Sequence, residues 1–179
     1  MAKRDRGLQD PTKLGTLDSD TGLYQVIIET PKGSRNKFAY DAGQRIFSLK
    51  KVLPAGMDFP YDFGFLPRTL ADDGDPLDVL LLMDEPAFPG IAVKAKIIGV
   101  IEGEQIDGKK RIRNDRIVAI AQANHMYADI KKLEDLPGRF LKELEEFFVN
   151  YHNLEGKRYK LMGCHSAQTA KRLIEETLL

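Results

Sequence analysis

Four carboxylates, Asp72, Asp73, Asp75 and Asp78, stand within seven residues of a 179-residue chain. Gly74 and Pro76 lie among them, and glycine's access to positive φ together with proline's fixed φ excludes a helix there. Carboxylates about 4 Å apart repel by about 1 kcal/mol per pair in water and about 4 kcal/mol in a partly screened site. Such a cluster lies exposed, shifts its protonation, or binds a hard cation, and an oxygen-only donor set suits magnesium or manganese. An EF-hand fails on spacing, because the glycine is not sixth in a twelve-residue loop and no glutamate closes it. A strand that delivers Asp73, Asp75 and Asp78 to one end of a barrel would bring two or more divalent ions together. Ions about 3.5–4 Å apart activate a water and clamp a phosphoryl group for in-line displacement. A solvated turn is the competing reading of the same residues.

The acids act together only if the surrounding chain holds them on a rigid element. Residues 79–83 form a short apolar run, Val-Leu-Leu-Leu-Met, bounded by Asp78 and by Asp84-Glu85-Pro86, as in a strand buried on both faces. Residues 24–29 are β-branched and stop at Thr30-Pro31-Lys32-Gly33-Ser34, which predicts a strand and then a loop. Residues 37–40 and 46–50 are expected as two more strands around Asp41-Ala42-Gly43-Gln44, developing a meander. Residues 53–67 interleave Pro54, Pro60, Pro67, Gly56 and Gly64 with aromatic rings, and read as a rigid irregular segment packed on a core. Phe59 and Phe63 are expected to be part of that core. Residues 92–102 and 116–121 are the next strands, with Asp107-Gly108 as a turn signal between them. After Pro137 the period changes, and Phe140, Leu141, Leu144, Phe147, Phe148 and Tyr151 recur at helical spacing. Residues 157–162 alternate as a last strand, and Ser166 is placed to cap a final helix ending near Leu178. The sum predicts a mainly β chain of α+β class: a small closed barrel with helices packed on it, two major ones near the C-terminus.

Composition removes several function classes. The 27 basic and 27 acidic residues cancel, which argues against nucleic acid or an anionic membrane as partner. Cys164 is the sole cysteine, so no internal disulfide forms, and with three scattered histidines it assembles no zinc ligand set. Its expected role is that of a small buried apolar residue, and His125 and His165 are expected to be structural. A reducing cytoplasm fits, since no apolar run has signal-peptide length or approaches the roughly 20 residues of a membrane span. The length suits one domain over residues 1–179, with residues 1–21 as a polar arm that packs late or stays mobile.

The acidic loop and its neighbours carry a resemblance. Asp73-Gly74-Asp75-Pro76-Leu77-Asp78-Val79-Leu80, preceded by Phe59-Pro60-Tyr61-Asp62-Phe63-Gly64-Phe65-Leu66-Pro67-Arg68-Thr69-Leu70, resembles the signature of the family I soluble inorganic pyrophosphatases. The likeness runs from about Val26 to Ala170, with Glu29-Thr30-Pro31, then Ile130-Lys131-Lys132 to Asp135-Leu136-Pro137, then Phe147-Phe148 to Tyr151 in the family's order. It implies a single pyrophosphatase-like domain built on a five-stranded OB-like barrel. It also implies magnesium-dependent hydrolysis of pyrophosphate to two phosphates, with manganese as an alternative cation, and for bacterial members a homohexamer. By the same resemblance Asp73 and Asp78 are metal ligands, Asp78 the bridging one, and Glu29 holds a metal through water. Asp75 is the general base toward a metal-activated water. Lys37, Lys51, Arg116 and Tyr151 are the substrate-binding residues facing the pyrophosphate oxygens.

Several positions depart from the family pattern. Ala39 and Tyr40 stand where a second glutamate is expected after Lys37, and Lys51 replaces an arginine, keeping charge but losing the bidentate fork. Phe59 and Phe63 replace two tyrosines, and His152 replaces a lysine in the substrate-binding set, carrying partial charge near neutral pH. The later acidic segment reads Asn114-Asp115-Arg116, which makes Asp115 a further metal candidate, with Glu104 and Asp107 as weaker ones. The expectation is a divergent enzyme with an intact metal site and an altered phosphate clamp. Two other classes compete: an OB-like nucleic-acid-binding module, which needs a basic groove, and a catalytically silent pyrophosphate- or metal-binding protein.

Overall fold

The structure, a computed structural model, describes residues 10–179. In chain order its elements are β1 (Leu17–Asp18), β2 (Leu23–Thr30), β3 (Asn36–Asp41), β4 (Ile46–Val52), β5 (Asp62–Phe65), β6 (Asp78–Leu82) and β7 (Ala92–Asp107). They continue as β8 (Lys110–Arg113), β9 (Arg116–Ala121), α1 (Phe140–Asn153), β10 (Arg158–Ser166) and α2 (Ala167–Thr177). The main sheet runs β1-β2-β5-β6-β9-β7-β10, and a further β2–β7 pairing bends β2, β5, β6, β9 and β7 into a ring of five strands. The ring closes unevenly, because β5 has four residues and β7 sixteen. The described residues are thus mainly β with two α-helices, as the residue pattern predicts.

The short apolar runs take the central places. β6 and β9 pair in parallel, Asp78 opposite Arg116 through Leu82 opposite Ile120. Alternate residues of both strands feed two different cores, which is why neither strand shows a polar face. Leu80, Leu82, Val118 and Ile120 pack toward Phe140, Leu144 and Phe148 of α1. Val79, Leu81, Ile117 and Ala119 pack in a second cluster with Ala170 and Ile174 of α2. Ser166 caps α2 by accepting from the Thr169 amide.

Three local expectations change. Residues 53–67 are not wholly irregular: Asp62–Phe65 is a strand, hidden in the sequence by its shortness and by Pro60 and Gly64. Gly64 has to be glycine, because a Cβ there would overlap the carbonyl oxygen of Ile27 on the paired strand. β3 and β4 do not extend the main sheet as a meander but form their own two-stranded sheet. That hairpin is pinned to β2 through Thr30, whose hydroxyl donates to Phe38 O (2.9 Å) and accepts from Phe38 N (3.1 Å). The polar β8 extends the turn at Gly108 into a hairpin with β7, its partners being Glu104 through Asp107.

Of the polar stretch 1–21, residues 1–9 lie outside the described residues. From Asp10 on it is tied down at two points: Thr16 is buried with its hydroxyl donating to Pro67 O at 2.6 Å, and β1 adds to the edge of β2. Phe59 and Phe63 are buried as expected, whereas Cys164 is only half-buried.

Candidate active site

The acidic loop is shaped by its own backbone. Gly74 has φ of +91°, its amide donates to Ala71 O (3.0 Å), and the Ala71 amide returns to Asp75 O (2.8 Å). The Asp75 amide donates to Asp73 Oδ1 at 3.1 Å. Below the loop, Thr69 locks the entry to β6: its hydroxyl donates to Leu66 O (2.7 Å) and accepts from Leu77 N (2.9 Å). Asp78 therefore opens β6 at one rim of the ring, between Phe65 on β5 and Arg116 on β9.

The cations come from the β3–β4 hairpin and from β9, whose Arg116 pairs beside Asp78. Lys37 and Lys51 are register partners across the β3–β4 hairpin. Their ammonium nitrogens stand 5.5 and 3.6 Å from the Tyr151 ring centroid, so the tyrosine face serves both. Lys51 is ion-paired with Glu155, just beyond α1. Arg116 is 2% exposed, with its guanidinium carbon 3.8 Å from the Phe148 ring centroid and Nη1 donating to Asn114 O at 3.1 Å. Its Nε is buried and makes no hydrogen bond. Acids and cations meet around one cleft of about 620 Å³, lined by Glu29, Asp73, Asp75, Asp78, Lys37, Arg116, Tyr151 and His152.

Electrostatics in the cleft are strained. Burial pushes the Asp78 acid up to about 6; Arg116 and Lys37 oppose the rise, while Asp73 and Asp75 add to it. Glu29 is pushed up to about 7, first by burial, although the Tyr40 amide donates to its Oε1 at 2.7 Å. Burial also raises Asp73. At Lys37 burial disfavours the charge, but Tyr151, Asp78 and Glu29 outweigh it and hold the ammonium above the usual lysine value. Carboxyls so poorly matched by protein cations are stabilised by a divalent ion. Among the described residues no three Asp, Glu, His or Cys side chains form a group able to hold an ion alone. The donor set nevertheless suits magnesium, which binds through one or two carboxylates, keeps several waters and takes oxygens from a bound phosphate.

A pH-dependent stability follows from Glu29. Its folded-state acid lies near 7 against an ordinary 4.5, so the metal-free protein loses stability as pH rises through that window. Glu29→Gln keeps an acceptor for Tyr40 and does not titrate. Urea denaturation in chelator is expected to show equal pH slopes for variant and wild type below pH 4.5. The variant should then gain on the order of 3 kcal/mol by pH 7.5. A difference that is flat with pH would remove the buried-acid account.

Not every expected residue joins the cleft. Asp115 does not line it; the carboxylate is paired with Arg113 (Oδ2 to Nη2, 2.6 Å) and accepts from the Gly103 amide (3.1 Å). Asn114 and Gln105 line the cleft on that side. Glu104 is paired with Arg111 at 3.0 Å, and Asp107 ends β7 outside the lining. His152 sits in the cleft wall but not as a partly charged group. It is 2% exposed, its Nδ1 donates to Phe148 O at 2.8 Å, and burial lowers its pKa to about 4. His165 has a partner that the sequence does not reveal, Glu102 at 3.3 Å. Glu155 and Lys157 line the cleft too, and the sequence marks them only by their adjacency to the end of the helical stripe.

Carboxylates gathered at one rim of a small barrel, with a buried arginine and a half-buried lysine around the same cleft, define the class: a site for metal-assisted chemistry on a compact polyanion. Residues 26–179 match the model of the inorganic pyrophosphatase family, and the chain belongs to that family. The chain is 42% identical over 155 residues to the inorganic pyrophosphatase of Synechocystis sp., covering 87% of this chain and 89% of the relative. Its identity to the inorganic pyrophosphatase of Nostoc sp. is 40% over 157 residues, covering 88% and 90%. The crystal structure of inorganic pyrophosphatase from Thermus thermophilus superposes with a TM-score of 0.86 at 29% identity, covering 94% of this chain and 97% of that one. Among the described residues no helix is long and apolar enough to cross a membrane.

Proposed function

We propose that this chain hydrolyses inorganic pyrophosphate to two phosphates with magnesium, or manganese, as the cation. The observation that carries the reading is one cleft that gathers mutually repelling carboxylates with the buried Arg116 and the half-buried Lys37. Asp73 and Asp78 would hold the ions directly, and Glu29 through water. Bound there, the ions would supply charge neutralisation and an acidified water. Asp75 takes the proton from the attacking water, and Lys37, Lys51, Arg116 and the Tyr151 hydroxyl hold the phosphoryl oxygens as charge develops on the departing phosphate. His152 serves as a neutral hydrogen-bonding wall and adds no charge. Asp115 has its charge met by Arg113 and orders the segment that leads into Arg116. The reading includes a cytoplasmic homohexamer, as the family resemblance implies. It includes no nucleic acid or membrane partner, since an acidic loop at the cleft mouth repels polyanionic surfaces.

The test is phosphate release from pyrophosphate, tripolyphosphate and ATP with magnesium, manganese or calcium. Rapid release from pyrophosphate with magnesium is expected. Binding of magnesium and pyrophosphate without turnover under any cation or pH would replace the enzyme by a silent binding protein.

A further inference from the structure

Glu155 is an acid inside a phosphate clamp, which the chemistry of binding a polyanion does not require. Its position is built. Its amide donates to His152 O (2.9 Å), the Gly156 amide to Asn153 O (3.0 Å) and the Lys157 amide to His152 O (3.1 Å). Gly156 at φ +71° turns the chain back toward β10. From this turn the carboxylate pairs with Lys51, and its other oxygen is 3.6 Å from Lys157 Nζ.

The cleft has a direction. Glu29 and Asp78 lie at the end where they act on Lys37; Lys37 and Lys51 share the Tyr151 ring; and Lys51 meets Glu155. The buried Arg116 stands beside Asp78 at the first end, and the side chains of Lys51, Glu155 and Lys157 at the other are 25%, 34% and 30% exposed. An anion of two phosphoryl groups, seated with one end at the carboxylate rim, reaches Lys37 and Lys51 with the other. A third group would extend past Lys51 and meet a carboxylate, where one negative charge cancels one of the two lysines.

We propose that Glu155, which lines the cleft and pairs with Lys51 and Lys157 at the end away from Asp78, is a specificity residue that limits the substrate to two phosphoryl groups. The inference rests on the pyrophosphatase reading and assigns this acid the selection against longer chains. Two charges at hydrogen-bond range in a partly screened site interact strongly, and exposure and salt reduce the effect to a moderate one.

The experiment compares kcat/KM for tripolyphosphate and pyrophosphate in wild type, Glu155→Gln and Glu155→Asp. In Glu155→Gln the tripolyphosphate-to-pyrophosphate ratio is expected to rise about tenfold, and the gain to shrink at high salt. Glu155→Asp, which restores the charge, should return the ratio to within about twofold of wild type. Parallel changes on both substrates, as from a merely structural residue, would overturn the proposal, as would an unmoved ratio. The same ratio is read from calorimetric Kd values with calcium as the cation, which needs no turnover. Absent hydrolysis in wild type therefore sinks the catalytic reading, while the binding ratio still decides the role of Glu155.

Discussion

Asp78→Asn is expected to lower magnesium-dependent phosphate release from pyrophosphate by about a thousandfold or more, roughly 4 kcal/mol of transition-state stabilisation. Asp78 opens β6 beside Arg116, faces Asp73, Asp75 and Glu29, and is the residue through which the carboxylates of the cleft are electrostatically joined. Asparagine keeps the shape and removes the charge an ion would need. Its folding consequence has the opposite sign. Burial pushes the Asp78 acid up to about 6, so at pH 7.5 the metal-free wild type bears the cost of an ionised buried carboxylate that the variant lacks. Thermal unfolding in chelator should therefore show the variant at least as stable as wild type, while calorimetry shows weakened magnesium binding. Normal activity with normal magnesium dependence would refute the ligand role.

Asp75→Asn is the second large effect, with a different signature. A general base contributes roughly a hundredfold to ten-thousandfold, and its loss lowers kcat with little change in KM. Asp75 sits at the tip of the loop, its amide bound to Asp73 Oδ1, its carbonyl bound by Ala71 and its side chain on the cleft. Magnesium affinity in the variant should stay within severalfold of wild type. If magnesium binding collapses as in Asp78→Asn, Asp75 is a ligand and the base lies elsewhere.

The parts of the molecule read most easily are those with local causes. Residues 79–83 and 116–121 predict buried strands because both of their faces are apolar, and β6 and β9 are paired at the centre of the sheet. The stripe from Phe140 to Tyr151 predicts a helix by its period, and α1 covers it. β5 escapes because four residues carry too short a pattern, and because its glycine is explained only by the Ile27 carbonyl on a strand distant in sequence. His152 is the clearest reversal. A histidine after a tyrosine reads as a partly charged clamp residue, yet burial, opposed by the Phe148 carbonyl and helped by Arg116, makes it a neutral one.

The acidic loop shows where the division falls. Residue type and spacing alone determined that Asp73, Asp75 and Asp78 lie on a turn at the start of a strand, since Gly74, Pro76 and the following apolar run act over a few residues. They also determined, through resemblance, the family. Only the tertiary structure decided which partners meet them: it brought Glu29, Lys37 and Arg116 from three other strands to the cleft, tied Asp115 to Arg113, and set Glu155 against Lys51. The reason is physical. Turns and strand periods follow from local backbone freedom and side-chain alternation, whereas the protonation of a buried carboxyl or the target of an ion pair depends on what the closed barrel places within a few ångströms of it.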